Sequence, residues 1–227
     1  MKSFYIILMS LIISSTIFSQ KNSKKPNSYA LSFGIAGNFS LDEFNGDIAV
    51  KKIIDNTHQL RLFLSPRILT KNDKMYSFNS NNNITVTQDN EIRNYSIGVG
   101  ADYLWTLITS EDINMFGGTG LVFTYGNNNF KVTSKSKSTS NVNDNNKFIN
   151  ETNNPFTNIG IRGTLGVEWK VTDKIGIHSE YLFTGSYNWS KSEIKSSRND
   201  IDNPTKTRTA SGISLSSGVL FGISIYF

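Results

Sequence analysis

From Ile213 to the end of the chain the large apolar residues fall on every second position: Ile213, Leu215, Val219, Phe221, Ile223, Ile225 and Phe227, with Ser217 the one exception. Between them stand Gly212, Ser214, Ser216, Gly218, Leu220, Gly222, Ser224 and Tyr226. A period of two predicts a β-strand with one apolar face and one small, polar face. Gly and Ser make a poor wet surface but suit a crowded barrel interior. The apolar face is therefore the one read as meeting lipid.

The same alternation recurs upstream. Strand one sets Tyr29, Leu31, Phe33, Ile35 and Phe39 against Ala30, Ser32, Gly34, Ala36 and Asn38. Asp42 to Gly46 reads as a turn. Strand two, Asp47 to Ile54, is irregular, because Lys51-Lys52 and Ile53-Ile54 interrupt the pattern, and a bulge is expected there. Strand three places Leu60, Leu62, Leu64, Pro66 and Ile68 opposite Arg61, Phe63, Ser65 and Arg67. Strand four turns Tyr95, Ile97, Val99, Ala101, Tyr103 and Trp105 outward; strand five does so with Met115, Leu121, Phe123 and Tyr125. Strand six carries Ile159, Ile161, Leu165, Val167 and Trp169 outward, and strand seven Ile175, Ile177, Tyr181 and Phe183.

The connections alternate in length. Asp55-Asn-Thr57, Ser110-Glu-Asp112 and Thr172-Asp-Lys174 are short turns, whereas segments 71–90, 126–157 and 190–207 are long, polar and read as mobile loops. An even number of strands, short turns on one side and long loops on the other describe an outer-membrane barrel. Aromatics gather at two levels, Tyr103, Trp105, Trp169 and Phe227 on the turn side, Tyr125, Tyr187 and Trp189 on the loop side, as interfacial belts do. The fold class expected is all-β: an eight-stranded antiparallel up-and-down transmembrane β-barrel over residues 29–227. A soluble sandwich would need large apolar residues on both inner faces, which the Gly- and Ser-rich alternate positions do not supply.

Composition narrows the picture. The 227 residues suit one barrel plus a leader. Lys2 followed by apolar Phe4 to Ile13 and polar Ser14 to Gln20 reads as a secretory signal peptide over residues 1–19. Residues 20–28 then form a polar arm. With no cysteine there is no disulfide and no lipid-modified cysteine. The net charge of +5 is spread along the chain, which argues against nucleic-acid binding.

Gly160-Ile-Arg-Gly-Thr-Leu-Gly-Val-Glu-Trp169, the Thr172-Asp-Lys174 turn, Ile175-Gly-Ile-His-Ser-Glu-Tyr181 and the Phe-terminated last strand together resemble the small eight-stranded outer-membrane barrels of Gram-negative bacteria, the OmpA-like and OmpX-like group. The resemblance spans the mature chain and is one of pattern. It implies a monomer secreted to the cell outer membrane, with lipid and lipopolysaccharide as surroundings. It also implies that the barrel-assembly machinery reads Phe221, Ile223, Ile225 and Phe227. The chain stops at the barrel, so no peptidoglycan-binding domain is expected after it.

Candidate chemistry lies on the inward positions. Arg61, Arg67, Asp102, Arg162, Glu168 and Glu180 all point into the lumen in this reading. Buried charges need partners, and eight strands leave an interior only just wide enough for side chains. An internal ion-pair network that plugs the lumen is expected; the alternative is a narrow channel for small solutes through the same charges. His178-Ser-Glu180 resembles a hydrolase fragment, but His178 and Ser179 of one strand face opposite ways and the other histidine, His58, lies at a turn. Neither an enzyme nor a metal or cofactor site is expected. Lys131, Lys135, Lys137, Lys191 and Lys195 in the loops are candidates for lipopolysaccharide phosphates, and the loops for an extracellular ligand.

Overall fold

The computed structural model of the protein describes residues 28–36, 43–55, 57–79, 84–138, 146–199 and 201–227. The expected signal peptide, most of the expected arm, and Asn38, Phe39 and Asp42 lie outside the described residues. Eight long strands run in chain order: β1 Tyr29–Ala36, β2 Glu43–Ile53, β3 His58–Asn79, β4 Ile84–Ser110, β5 Ile113–Ser138, β6 Asn146–Thr172, β7 Ile175–Arg198 and β8 Lys206–Tyr226. A two-residue piece, Ile201–Asp202, pairs back onto the end of β7. Each strand is antiparallel to its chain neighbour, and β1 pairs with β8 from Ala30↔Tyr226 to Ala36↔Leu220, which closes the ring. Closure leaves no strand edge at the level of the β1–β8 seam.

Side-chain parity follows the sequence pattern. Outward apolar residues have no protein cover: Leu62 is 57 % exposed, Ile161 62 %, Leu121 67 % and Phe221 63 %. A soluble protein does not leave a continuous apolar exterior in water, so this face is one for hydrocarbon. On β6 the band between the Thr157 row, which Tyr125 and Trp189 share, and Trp169 spans about 40 Å of strand at ~3.3 Å per residue. Tilted ~45°, that reaches about 28 Å along the membrane normal, the height of an outer-membrane barrel's apolar belt.

Inside, several glycines are roofed by a large side chain on the next strand. Phe63 lies over Gly100, Leu104 over Gly118, Phe116 over Gly166 and Leu220 over Gly34. A Cβ at Gly120 would collide with the Ala101 carbonyl and with Asp102. This packing explains the alternation of Gly and bulk on the inner face.

Three expectations need correction. Glu43 to Gly46 belongs to β2, with Glu43 opposite Leu69 and Phe44 opposite Ile68, and is no turn. Nor does β2 bulge: its register with β1 runs unbroken from Tyr29↔Lys52 to Ile35↔Gly46. The register shifts fall instead at Thr106/Ile108 and Lys170/Thr172, beside the short turns. Most importantly, much of the three polar segments is strand. The β3–β4 ladder continues to Asn79↔Ile84, β5–β6 to Ser136↔Asn146, and β7–β8 to Ile194↔Lys206. Backbone pairing does not depend on apolar side chains, and Thr133, Val132, Ile149 and Phe130 bring strand preference to these stretches.

Candidate functional site

The charged side chains of the lumen form two tiers. In the upper tier Asp102 of β4, with no solvent exposure, receives both arginines. Its Oδ2 accepts from Arg61 Nε at 2.9 Å, Arg61 Nη2 at 2.7 Å and Arg162 Nη2 at 2.5 Å. Arg61 Nη1 reaches across to both oxygens of Glu180 at 2.7 Å, and Arg162 Nη1 to Asp47 at 3.3 Å. The Arg162 guanidinium stacks on the Phe63 ring at 3.4 Å, a cation–π contact made without water.

The lower tier lies toward the short turns. Lys51 donates to Ser224 at 3.0 Å and sits 3.7 Å from Glu168, whose second oxygen accepts from the Tyr226 hydroxyl at 2.6 Å. Ser32 and Ser224 share a hydrogen bond of 2.9 Å. His178 joins the tiers, 3.2 Å from Ser224 through Nδ1 and 3.6 Å from Glu180 through Nε2.

In a ring of eight, strands four apart stand on opposite walls. Arg61 on β3 meets Glu180 on β7, Asp47 on β2 meets Arg162 on β6, and Lys51 on β2 meets Glu168 on β6. Three ion pairs therefore span the full diameter. The long side chains of Arg61, Arg162, Lys51, Glu168 and Glu180 supply the reach across the lumen.

The candidates named from sequence are distributed unevenly. Arg61, Asp102 and Arg162 come together in the upper tier with Glu180, and Glu168 lies in the lower one. Arg67 stands apart from the network: it is exposed, two inward positions further up β3 than Phe63, in a cavity of about 190 Å³ with Glu43, Asn94, Ser96 and Asn128. Asp47, Lys51, His178, Ser224 and Tyr226 were not singled out as members. The signal for Lys51 was present, since it alternates with Val50 and Lys52 once the β2 register is known, but the adjacent lysines hid it. Phe221, Ile223 and Ile225 lie on the outward face of β8, and Phe227, the residue after it, stacks on Tyr29 with ring centroids 6.4 Å apart.

Ser224, His178 and Glu180 form a string that resembles a hydrolytic triad, although Ser179 does not take part, because it faces outward. The three are at most 2 % exposed. A nucleophile needs substrate within reach as well as a base, and no path leads to Ser224 Oγ, which Ser32 and Lys51 already occupy.

Outside the lumen, Tyr125, Thr157, Trp189 and Ser211 occupy one outward cross-strand row. Together with Lys191 and Thr209 they line a cavity of about 490 Å³. Lys191 is 3.7 Å from Glu193, while Lys131 lies between Glu91 and Glu151 in register and Lys195 beside Glu151. At the turn side His58 packs against Tyr103, ring centroids 5.7 Å apart, and contacts Asp55 at 3.0 Å. Asp55 lies outside the membrane band. The Thr57 backbone N–H, the Thr57 hydroxyl and His58 hold its carboxyl well below the usual carboxylate range.

No family model matches the sequence, and no curated protein does. Solved structures do resemble the fold. A major outer membrane protein from Thermus thermophilus is 11 % identical with a TM-score of 0.41, covering 88 % of this chain and 98 % of its own. Neisserial surface protein A is 16 % identical with a TM-score of 0.37, covering 88 % and 93 %. Acinetobacter baumannii CarO is 14 % identical with a TM-score of 0.36, covering 91 % and 100 %. At such identities the likeness is one of fold, and the closed ring with its uncovered apolar exterior is what carries the assignment: the chain is a small eight-stranded β-barrel of the outer-membrane kind.

Proposed function

We propose that this protein is a structural or surface-interaction barrel of the outer membrane whose lumen is plugged, rather than a solute channel. One observation carries the reading: Arg61 and Glu180, on opposite walls, meet at 2.7 Å. Two further diametric pairs lie on either side of that contact. Water or solute would have to break buried ion pairs to pass, and eight strands leave little room beside them. In this reading the barrel is secreted by its cleaved leader and assembled through Phe221, Ile223, Ile225 and Phe227. It then presents its hairpin arms to the exterior. Lys191, two residues beyond Trp189 on the outward wall, is placed at the height of outer-leaflet phosphates, where an ammonium acts as a point charge. The string at Ser224 supports no enzymatic role, because it is closed to substrate.

The test is conductance of the refolded protein in a planar bilayer, with heat-shifted gel mobility showing that the barrel is folded. The plug predicts silence from the native protein and leakage or loss of folded protein from Arg162→Ala. Steady, discrete openings of the native barrel, with changed ion selectivity in Arg162→Ala, overturn the plug in favour of a narrow channel.

A further inference from the structure

Every charged side chain of the two lumen tiers has a partner of opposite sign. Arg67, on the same inward face of β3, has none: among the described residues it makes no ion pair or side-chain hydrogen bond, and Glu43 beside it makes none either. The two line one cavity of about 190 Å³ yet do not pair with each other. Asn94, Asn128 and Ser96, on the same inward parity, complete its polar wall, and Phe44, Ile68, Leu69 and Tyr95 supply apolar surface. Asn45, the register partner of Arg67, is two residues from Asp47, so the cavity sits about 7 Å above the plug, at ~3.3 Å per residue. It is an open vestibule on the loop side of the ion-pair network.

We propose that this vestibule binds a small zwitterion of the α-amino acid class, its carboxylate on the Arg67 guanidinium and its ammonium on Glu43. A guanidinium offers a planar two-pronged donor face that fits a carboxylate. Glu43 would repel a simple anion and Arg67 a simple cation, so a solute with both charges satisfies the pair where singly charged ones do not. The amides of Asn94 and Asn128 supply donors and acceptors for a polar side chain. The site lies above the plug and needs no open lumen, so it stands or falls separately from the conductance result.

The probe is L-glutamine, compared with its deaminated analogue (4-carbamoylbutanoate) and its decarboxylated analogue (4-aminobutanamide). Binding to the refolded barrel in detergent micelles is measured by titration calorimetry and saturation-transfer NMR. Each charge-assisted contact is worth about ten- to a hundredfold in affinity, so glutamine should bind at least about tenfold tighter than either analogue. Arg67→Gln should remove that advantage for carboxylate-bearing probes and leave 4-aminobutanamide bound no more weakly, since its repulsion by Arg67 is gone; Glu43→Gln should do the reverse, with 4-carbamoylbutanoate bound no more weakly. Both side chains are exposed and unpaired, so heat-shifted mobility should be native in both variants. The proposal is overturned if glutamine fails to bind the folded barrel at millimolar concentration. It is equally overturned if Arg67→Gln leaves affinity within twofold, or if glutamine and the deaminated analogue bind alike.

Discussion

Asp102→Asn is the sharpest perturbation of the lumen's ion-pair network. The substitution keeps volume and one oxygen but removes the negative charge between two guanidinium groups. In the native barrel Oδ2 alone accepts three charge-assisted hydrogen bonds, from Arg61 twice and Arg162 once. In the variant an amide N–H₂ faces arginines that cannot release a proton. Taking one partner out of a buried ion network costs about 3–5 kcal/mol. The Lys191–Glu193 pair is a control on the surface, 3.7 Å long with both side chains well exposed, where Glu193→Gln should cost about 1 kcal/mol or less. Urea unfolding in lipid vesicles, followed by gel mobility, reads both. With a dependence of about 1–3 kcal/mol per molar urea, Asp102→Asn should lower the midpoint by about 1 M or more. Glu193→Gln should shift it far less. Replacing Asp47, Arg61, Asp102, Arg162 and Glu180 together by Leu, Met, Leu, Met and Leu should restore most of the loss, because an apolar set carries no desolvation penalty. Equal midpoints for Asp102→Asn and the native barrel would refute the argument: the cross-lumen pairs would then contribute no more than a solvated one.

Other consequences are simpler to state. Tyr226→Phe removes the 2.6 Å donor to Glu168 and should cost about 1.5–3 kcal/mol in the same urea assay; a change under about 0.5 kcal/mol would show that Lys51 alone satisfies Glu168. Gly120→Ala should destabilise by about 1–3 kcal/mol through overpacking against the Ala101 carbonyl, while Gly212→Ala, whose Cβ would meet nothing within 4 Å, should not. For Asp55 the folded pKa is lowered, so its contribution to the β2–β3 turn is complete above the ordinary carboxylate value of about 3.9. That contribution declines as pH falls below that value through the lowered one. The side-chain carboxyl 13C signal of Asp55 should therefore show its own titration step only in acid stronger than about pH 4, a step that Asp55→Asn removes.

Within the membrane band the fold is legible in the chain because lipid on one face and a crowded lumen on the other force opposite chemistries onto alternate residues. Ile159, Ile161, Leu165 and Val167 against Gly160, Arg162, Thr164 and Gly166 leave few other readings. Above the band both faces are wet, so Asn127 to Ser136 carries no contrast of period two and looks like a loop, although it is paired with a strand on both sides. The lumen network was half legible for a related reason. A charge on the inward parity announces itself, as Arg61 and Asp102 do, but which wall it meets depends on ring geometry that no local pattern contains. Lys51 was lost in a lysine pair, and Ser224 looked like any small inner residue. Arg67 has the right parity and the wrong height.

The six long strands have a mechanical consequence. A 27-residue strand such as β4 measures about 90 Å end to end. Inclined ~45°, it rises about 60 Å, of which an apolar belt of ~25 Å takes less than half. The rest is a ladder-bonded mast rooted in a charged, closed base, and its stiffness comes from sheet pairing rather than from side-chain packing. The upper ends of the ladder, such as Asn79↔Ile84 and Ser136↔Asn146, are thereby held at a fixed stand-off from the apolar belt, where a tethered flexible loop would spend much of its time folded back onto it.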